Sequence, residues 1–169
     1  MIAIGRLTRP HGLQGEVVFL PYVHDVELLP NLHNRRICLR RTTDLVTQER
    51  VVVAYRRSHK RLLMQLEGCH DVTQAEALRD YEVCIARQHF PPLPEGEYYW
   101  FDIEGLRVFT DDGHMLGTIA EIIYTGSNDV YVVQDGSQEF LIPALRDVVR
   151  CIDLERGEVH LFAVPDLLE

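Results

Sequence analysis

The sequence predicts a mainly all-β chain of two small β-barrels, and three observations carry that reading. Short runs rich in Val, Ile and Leu recur at regular spacing, separated by Gly, Pro, Asn or basic turns. One stretch, DVTQAEALRD, carries a helix-start signature. The composition then breaks at QHFPPLPEGE, Gln88 to Glu97, where three prolines and a glycine fall within ten residues. Proline cannot donate to a sheet ladder and favours extended spacers, so the expected division is a barrel over residues 1–88, a linker over 89–97 and a second barrel over 98–169. A chain of 169 residues, 46% hydrophobic and 25% charged, can bury such cores without staples.

In chain order, Ile2 to Leu7 and Glu16 to Leu20 read as the first two strands, flanking a loop around Pro10, His11 and Gly12. Pro10 fixes one dihedral, while Gly12 and Gly15 permit angles that cost other residues more, so this loop has a required shape. Arg36 to Arg40, Val46 to Tyr55 and Leu62 to Leu66 follow as strands, the last two joined by the basic turn RRSHKR, Arg56 to Arg61. Thr73 with Glu76 three residues later predicts a capping box opening a short helix within Asp71 to Asp80. Glu82 to Ala86 is the strand that closes the domain.

Beyond the linker, Leu106 to Phe109 and Thr118 to Tyr124 flank DDGHMLG as a hairpin. The turn GSND leads into Val130 to Val133, a core strand by its apolar run. Strands at Glu139 to Ile142, Val148 to Asp153 and Glu158 to Phe162 complete the second barrel, with Arg156 and Gly157 at the last turn. Four consecutive aromatics in EYYWFD cannot all point inward from a strand, so some of Tyr98, Tyr99, Trp100 and Phe101 should be partly exposed. Exposed Tyr and Trp anchor protein interfaces through a large ring with a polar tip, although an interdomain packing cluster is the competing account.

The net charge of −9 is unevenly spread: residues 1–88 hold 13 basic against 10 acidic side chains, and residues 89–169 hold 4 against 16. A mildly basic half can touch phosphates, whereas the acidic half repels nucleic acid and attracts a basic protein. The longest apolar runs fall far short of the roughly 20 residues that span a bilayer, so a cytoplasmic protein without membrane attachment is expected. Cys38, Cys69, Cys84 and Cys151 form no C-x-x-C pair and read as free thiols.

Catalytic constellations fare poorly. The eight histidines lack metal-ligand spacing, the three serines lack a nucleophile elbow, and GRLTRPHGLQG matches no phosphate loop. Asp111, Asp112 and Asp129 lie in DDG and SND, which are ordinary turn chemistry. No catalytic residue, cofactor or metal site is therefore expected, and no heptad pattern argues against a monomer.

The segments GRLTRPHGLQGEV, AEALR, EYYWFDIEGLRV, SNDVYVV and LIPAL, in this order and spacing, resemble the ribosome maturation factor RimM family over nearly the whole chain. The resemblance implies an N-terminal barrel similar to the second domain of translation factors, followed by a PRC-type barrel. It also implies a non-catalytic assembly factor that binds the small ribosomal subunit or its precursor and promotes rRNA maturation. The implied protein partner is a basic protein of the subunit head, the nineteenth of the small subunit. The family's paired tyrosines map to Tyr98 and Tyr99, with Trp100 beside them. Arg6, Arg9, His11, Arg56, Arg57, Lys60 and Arg61 are the candidate rRNA contacts, His11 either bracing its loop or meeting the ribosomal surface. Two other classes compete: an RNA-processing enzyme using Asp111, Asp112 and His114, and a generic PRC-barrel adaptor for another basic protein.

Overall fold

The computed structural model describes residues 1–23, 26–41, 43, 47–58 and 61–163, in two compact units that meet in sequence between Pro92 and Leu93. In the first unit β1 (Ile2–His11), β2 (Glu16–Pro21), β3 (Arg36–Arg40), β4 (Thr47–Ser58), β5 (Arg61–Leu66) and β6 (Glu82–Ile85) close a barrel in the order β1-β2-β5-β4-β3-β6. Alternation decides which side chains face inward: Val17 and Phe19 of β2 and Ile37 and Leu39 of β3 are buried while their neighbours are not. Each such aliphatic or aromatic side chain contributes roughly 1.5–3 kcal/mol by leaving water.

Several elements differ from the sequence expectation. β1 runs on through Pro10 to His11, because a register shift between Leu7 and Pro10 lets the strand absorb the proline and resume pairing as Pro10 with Val17 and His11 with Glu16. The loop is therefore only the tight turn of Gly12 to Gly15, with φ of 64° at Gly12 and 80° at Gly15. β4 likewise continues to Ser58, so Arg56 and Arg57 are strand residues opposite Leu63 and Leu62. Lys60, His59 and Val46 lie outside the described residues.

The helix α1 (Val72–Glu76) starts two residues before the expected box. Asp71 is the cap, its carboxylate accepting from the Gln74 N–H at 2.8 Å, and the Gln74 side chain accepts from the His70 N–H at 2.7 Å. Asp71 fills the capping role assigned to Thr73, while Gln74 reaches one residue further back than a capping box does, to the N–H ahead of the cap. After α1 the chain turns through Asp80, at φ 65°, and Leu7 of β1 exchanges backbone hydrogen bonds with Asp80 and Tyr81, which delivers β6 to its slot.

The second unit opens with α2 (Trp100–Ile103) and continues as β7 (Arg107–Phe109), β8 (Met115–Tyr124), β9 (Asp129–Asp135), β10 (Gln138–Pro143), β11 (Val149–Asp153) and β12 (Glu158–Leu161). These strands form one six-stranded sheet in the order β10-β9-β8-β7-β12-β11, in which only β7 and β12 run parallel. Ile142 at one end of the order and Val148, Val159 and Leu161 near the other join a single buried cluster with Val108, Ile119 and Val133. The sheet therefore curls around one core. Met115, Leu116 and Gly117 belong to β8 and not to the turn, because Thr110 closes that turn early with hydrogen bonds to the His114 backbone.

Gly12 and Gly15 share the left-handed backbone but differ in surroundings. A Cβ on Gly15 would meet the Cys69 carbonyl oxygen at 2.4 Å, whereas one on Gly12 would meet nothing within 4 Å. Gly12→Ala should cost about 1–2 kcal/mol for the backbone alone. Gly15→Ala should cost a further 1–3 kcal/mol or so for the backbone clash. Urea unfolding of the two variants checks this, and equal losses would refute the close-approach account.

A second test concerns Glu82, which accepts from Arg40 Nη2 at 2.7 Å and from the Tyr22 hydroxyl at 2.9 Å. Burial pulls the Glu82 carboxyl upward, but the hydrogen bonds from Arg40 and Tyr22 outweigh it and hold the group below its ordinary range. Because the folded value is the lower one, this contribution is present above the unfolded carboxylate range and is lost as pH falls through the folded value. Glu82→Gln should cost about 1 kcal/mol or less at pH 7, the pair being partly exposed. It should also flatten the acid limb of a stability–pH profile below about pH 4.5.

Candidate functional site

The β1–β2 hairpin places His11 at a strand end, half-buried, with Leu13 at the turn tip 82% exposed. The turn is fastened from outside: Gln65 Nε2 donates to the Gln14 carbonyl at 3.0 Å, and the Cys69 thiol to the Gly15 carbonyl at 3.2 Å. His11 is thus carried on a braced support rather than on a mobile loop.

The candidate arginines separate. Arg56 is engaged by Glu16 through two hydrogen bonds of 3.0 and 2.8 Å and is not a free cation. Arg6, Arg9, Arg57 and Arg61 are exposed and have no ion pair or hydrogen bond from their side chains among the described residues. Arg6 pairs in register with Leu20, Arg61 with Ser58, and the β2–β5 register carries Leu20 alongside Arg61. Arg6 and Arg61 therefore flank the half-exposed Leu20 at one end of the barrel, with Arg57 next to that row. His11 lies five residues along β1 from Arg6, about 16 Å at strand rise. The seven residues grouped by sequence are two sets at opposite ends of the strands, with Lys60 outside the described residues.

The other basic clusters are largely self-neutralised. Arg36 pairs with Glu49 at 3.2 Å, Arg40 with Glu82, and Arg41 lies over the Tyr81 ring at 4.4 Å. Arg35 donates to the Asn31 carbonyl.

In the second unit the EYYWFD run forms a helical turn, not a strand, with Tyr99 as the residue before α2. The turn gathers the rings instead of alternating them across two faces. Tyr99 stacks on Phe101 with centroids 5.0 Å apart, and Trp100 meets Phe101 edge-on at 4.9 Å. Tyr99 is only 7% exposed, Tyr98 packs against the core cluster, and Trp100 and Phe101 are half-buried.

Two carboxylates that the sequence analysis did not single out stand by this turn. Glu104 follows α2 and its carboxyl is pushed upward by burial and by the charge of Glu121 on β8. Burial and the Asp102 carboxylate push up the Tyr99 hydroxyl. Glu104 and Glu121 are far apart in sequence, and no local spacing signals their approach; it arises because Gly105 donates to the Ile119 carbonyl and Ile119 to that of Leu106.

Asp111, Asp112 and His114 are occupied in turn structure. Asp112 accepts from the Thr110 hydroxyl and the His114 N–H, and these bonds hold its carboxyl below the ordinary range. Asp111 pairs with Arg150 at 3.2 Å. Among the described residues, no group of three or more His, Cys, Asp or Glu could hold a metal ion, and no helix is long and apolar enough to cross a membrane. Of the four arginines in residues 89–169, Arg107 is also committed, to Glu158 at 3.0 Å.

Comparison with known proteins places this geometry in a lineage. The RimM N-terminal domain matches residues 2–90, and the RimM PRC barrel domain matches residues 100–166. The chain is 36% identical over 170 residues to the ribosome maturation factor RimM of Geobacter metallireducens, covering 100% of this chain and 96% of that one. It is 39% identical over 169 residues to the protein of the same name from Geotalea uraniireducens, covering 99% and 95%. A solved structure described as a putative 16S ribosomal RNA processing protein RimM from Pseudomonas aeruginosa shares 32% identity over 98% of each chain, with a TM-score of 0.48. With both domain matches in order and relatives aligned end to end, the chain belongs to the RimM family of non-catalytic ribosome maturation factors.

Proposed function

We propose that this chain acts in the cytoplasm by binding, as an assembly factor of the small ribosomal subunit that promotes maturation of its 16S rRNA. Within that role the second unit takes the basic nineteenth protein of the subunit head, and the first unit touches rRNA. The observation that carries the reading is the charge division, net +3 over residues 1–88 against −12 over residues 89–169. Opposed potentials on consecutive units suit two opposed partners: carboxylates steer and hold a basic protein, and unpaired guanidiniums hold phosphates. On this reading the aromatic turn of Tyr98, Tyr99 and Trp100 supplies apolar anchorage, and Glu104 and Glu121 supply charge. Its mechanism is occupancy: the factor holds the head protein in a productive arrangement and leaves as the mature surface forms. Arg6, Arg57 and Arg61 are the favoured rRNA contacts, because Arg56 is spent on Glu16. The domain division at residues 1–88, 89–97 and 98–169 belongs to the same proposal, its linker letting each unit keep its own partner.

Calorimetric titration with the purified head protein tests the protein arm. One-to-one binding that weakens at high salt is expected, and Glu104→Gln with Glu121→Gln should weaken it several-fold without unfolding exposed positions. Tyr98→Ala with Tyr99→Ala should reduce it further, with circular dichroism confirming that the variant is folded. No affinity by calorimetry or a second method refutes this arm.

For the RNA arm, Arg6→Gln, Arg57→Gln and Arg61→Gln together should weaken association with small-subunit particles. The slope of log affinity against log salt should fall by about 0.7–0.9 per phosphate contact removed. Unchanged affinity and slope would sink it.

A further inference from the structure

Cys38 and Cys84 stand directly opposite one another where β3 pairs with β6. They share the outer face of the barrel wall: Ile37 and Leu39 on one strand and Val83 and Ile85 on the other point inward, so the residues between them point out. Opposed residues of an antiparallel pair have Cα atoms about 4.5–5.5 Å apart, within the span of about 4.4–6.8 Å that a disulfide bridges. Cys38 is half-buried and Cys84 is 2% exposed. Both are free thiols. Arg40 lies two residues along β3 from Cys38 on the same face, with its guanidinium engaged by Glu82.

We propose that Cys38 and Cys84 form a reversible dithiol–disulfide pair, a modification site that takes small-molecule disulfides such as oxidised glutathione. Accessibility orders the chemistry. The Cys38 thiolate attacks one sulfur of the small disulfide, forming a mixed disulfide as the other sulfur leaves as a thiolate. Cys84, whose thiol is pushed up by burial, reacts second: its thiolate attacks the Cys38 sulfur and displaces the remaining small thiolate. Two protein thiols are oxidised, one small disulfide is reduced to two thiols, and the two protein protons pass to those leaving groups. The product links β3 to β6 across one of the two seams by which β6 closes the ring.

The exposed Cys151 provides an internal control, because it reports whether the oxidant has acted at all. The full chain, as wild type and as Cys151→Ser, is incubated with excess oxidised glutathione at mildly alkaline pH, alkylated and mapped by mass spectrometry. A Cys38–Cys84 cross-linked peptide is expected in both, reversed by dithiothreitol, with a raised thermal midpoint in the oxidised Cys151→Ser chain. Cys84→Ser should stop at a glutathione adduct on Cys38, and Cys38→Ser should leave Cys84 unmodified. If Cys151 is modified while Cys38 stays reduced, or Cys38 holds glutathione in the wild type without forming the link, the pair is not a dithiol site.

Discussion

The first unit depends on the insertion of β6, four residues long, between β1 and β3. Without it those two strands are open edges with unpaired backbone groups, and the barrel is a five-stranded sheet. Its placement is over-determined. Val83 and Ile85 are fully buried, Glu82 joins Arg40 and Tyr22 on the outer wall, and the backbone around Leu7 grips Asp80 and Tyr81 just ahead of it. The segment from Asp71 to Asp80 acts as a delivery arm, capped at one end and turned through a left-handed residue at the other. Closure is thus a long-range event prepared locally.

The same closure rations the first unit's charge. Ladder pairing sets Arg40 opposite Glu82 and leaves Arg36 diagonal to Glu49 and Arg56 diagonal, across β5, to Glu16, so cations that look available in a linear reading are spent on the wall. What remains at one end is a short row in which Arg6 and Arg61 border Leu20. An excess of basic over acidic residues is therefore a poor guide to an electrostatic surface; strand register decides which guanidiniums are free.

Register also explains what sequence reading could and could not reach. Strand existence and the division into two β units, each with its own core, were legible because alternation and turn residues act within a few positions. Boundaries were less so: Pro10 looked like a stop, yet a register shift between Leu7 and Pro10 absorbs it, and Arg56 and Arg57 looked like a turn although both are paired strand residues. The capping box was misplaced by two residues because Asp71 with Gln74 and Thr73 with Glu76 are overlapping solutions to one problem, and a linear pattern does not rank them. The aromatic run was assigned a strand period because four large rings suit one, but Gly105 soon after and the apolar Ile103 inside favour a single turn that buries Tyr99. Cys38 facing Cys84 and Glu104 facing Glu121 were invisible, since each pair is a product of topology rather than of spacing.

The Glu104–Glu121 pair bears most directly on the proposed partner. Burial and the nearby charge of Glu121 both disfavour the charged form of Glu104, a strain that an acidic surface with widely spaced charges lacks. On the proposed reading, a guanidinium or ammonium seated beside the two carboxylates offsets that strain. On that reading, too, an acid pair next to the aromatic turn suits an arginine-bearing protein surface better than a neutral one. The acidity of the second unit then has a local focus, and the aromatic turn and the acid pair act as one recognition element on the proposed reading.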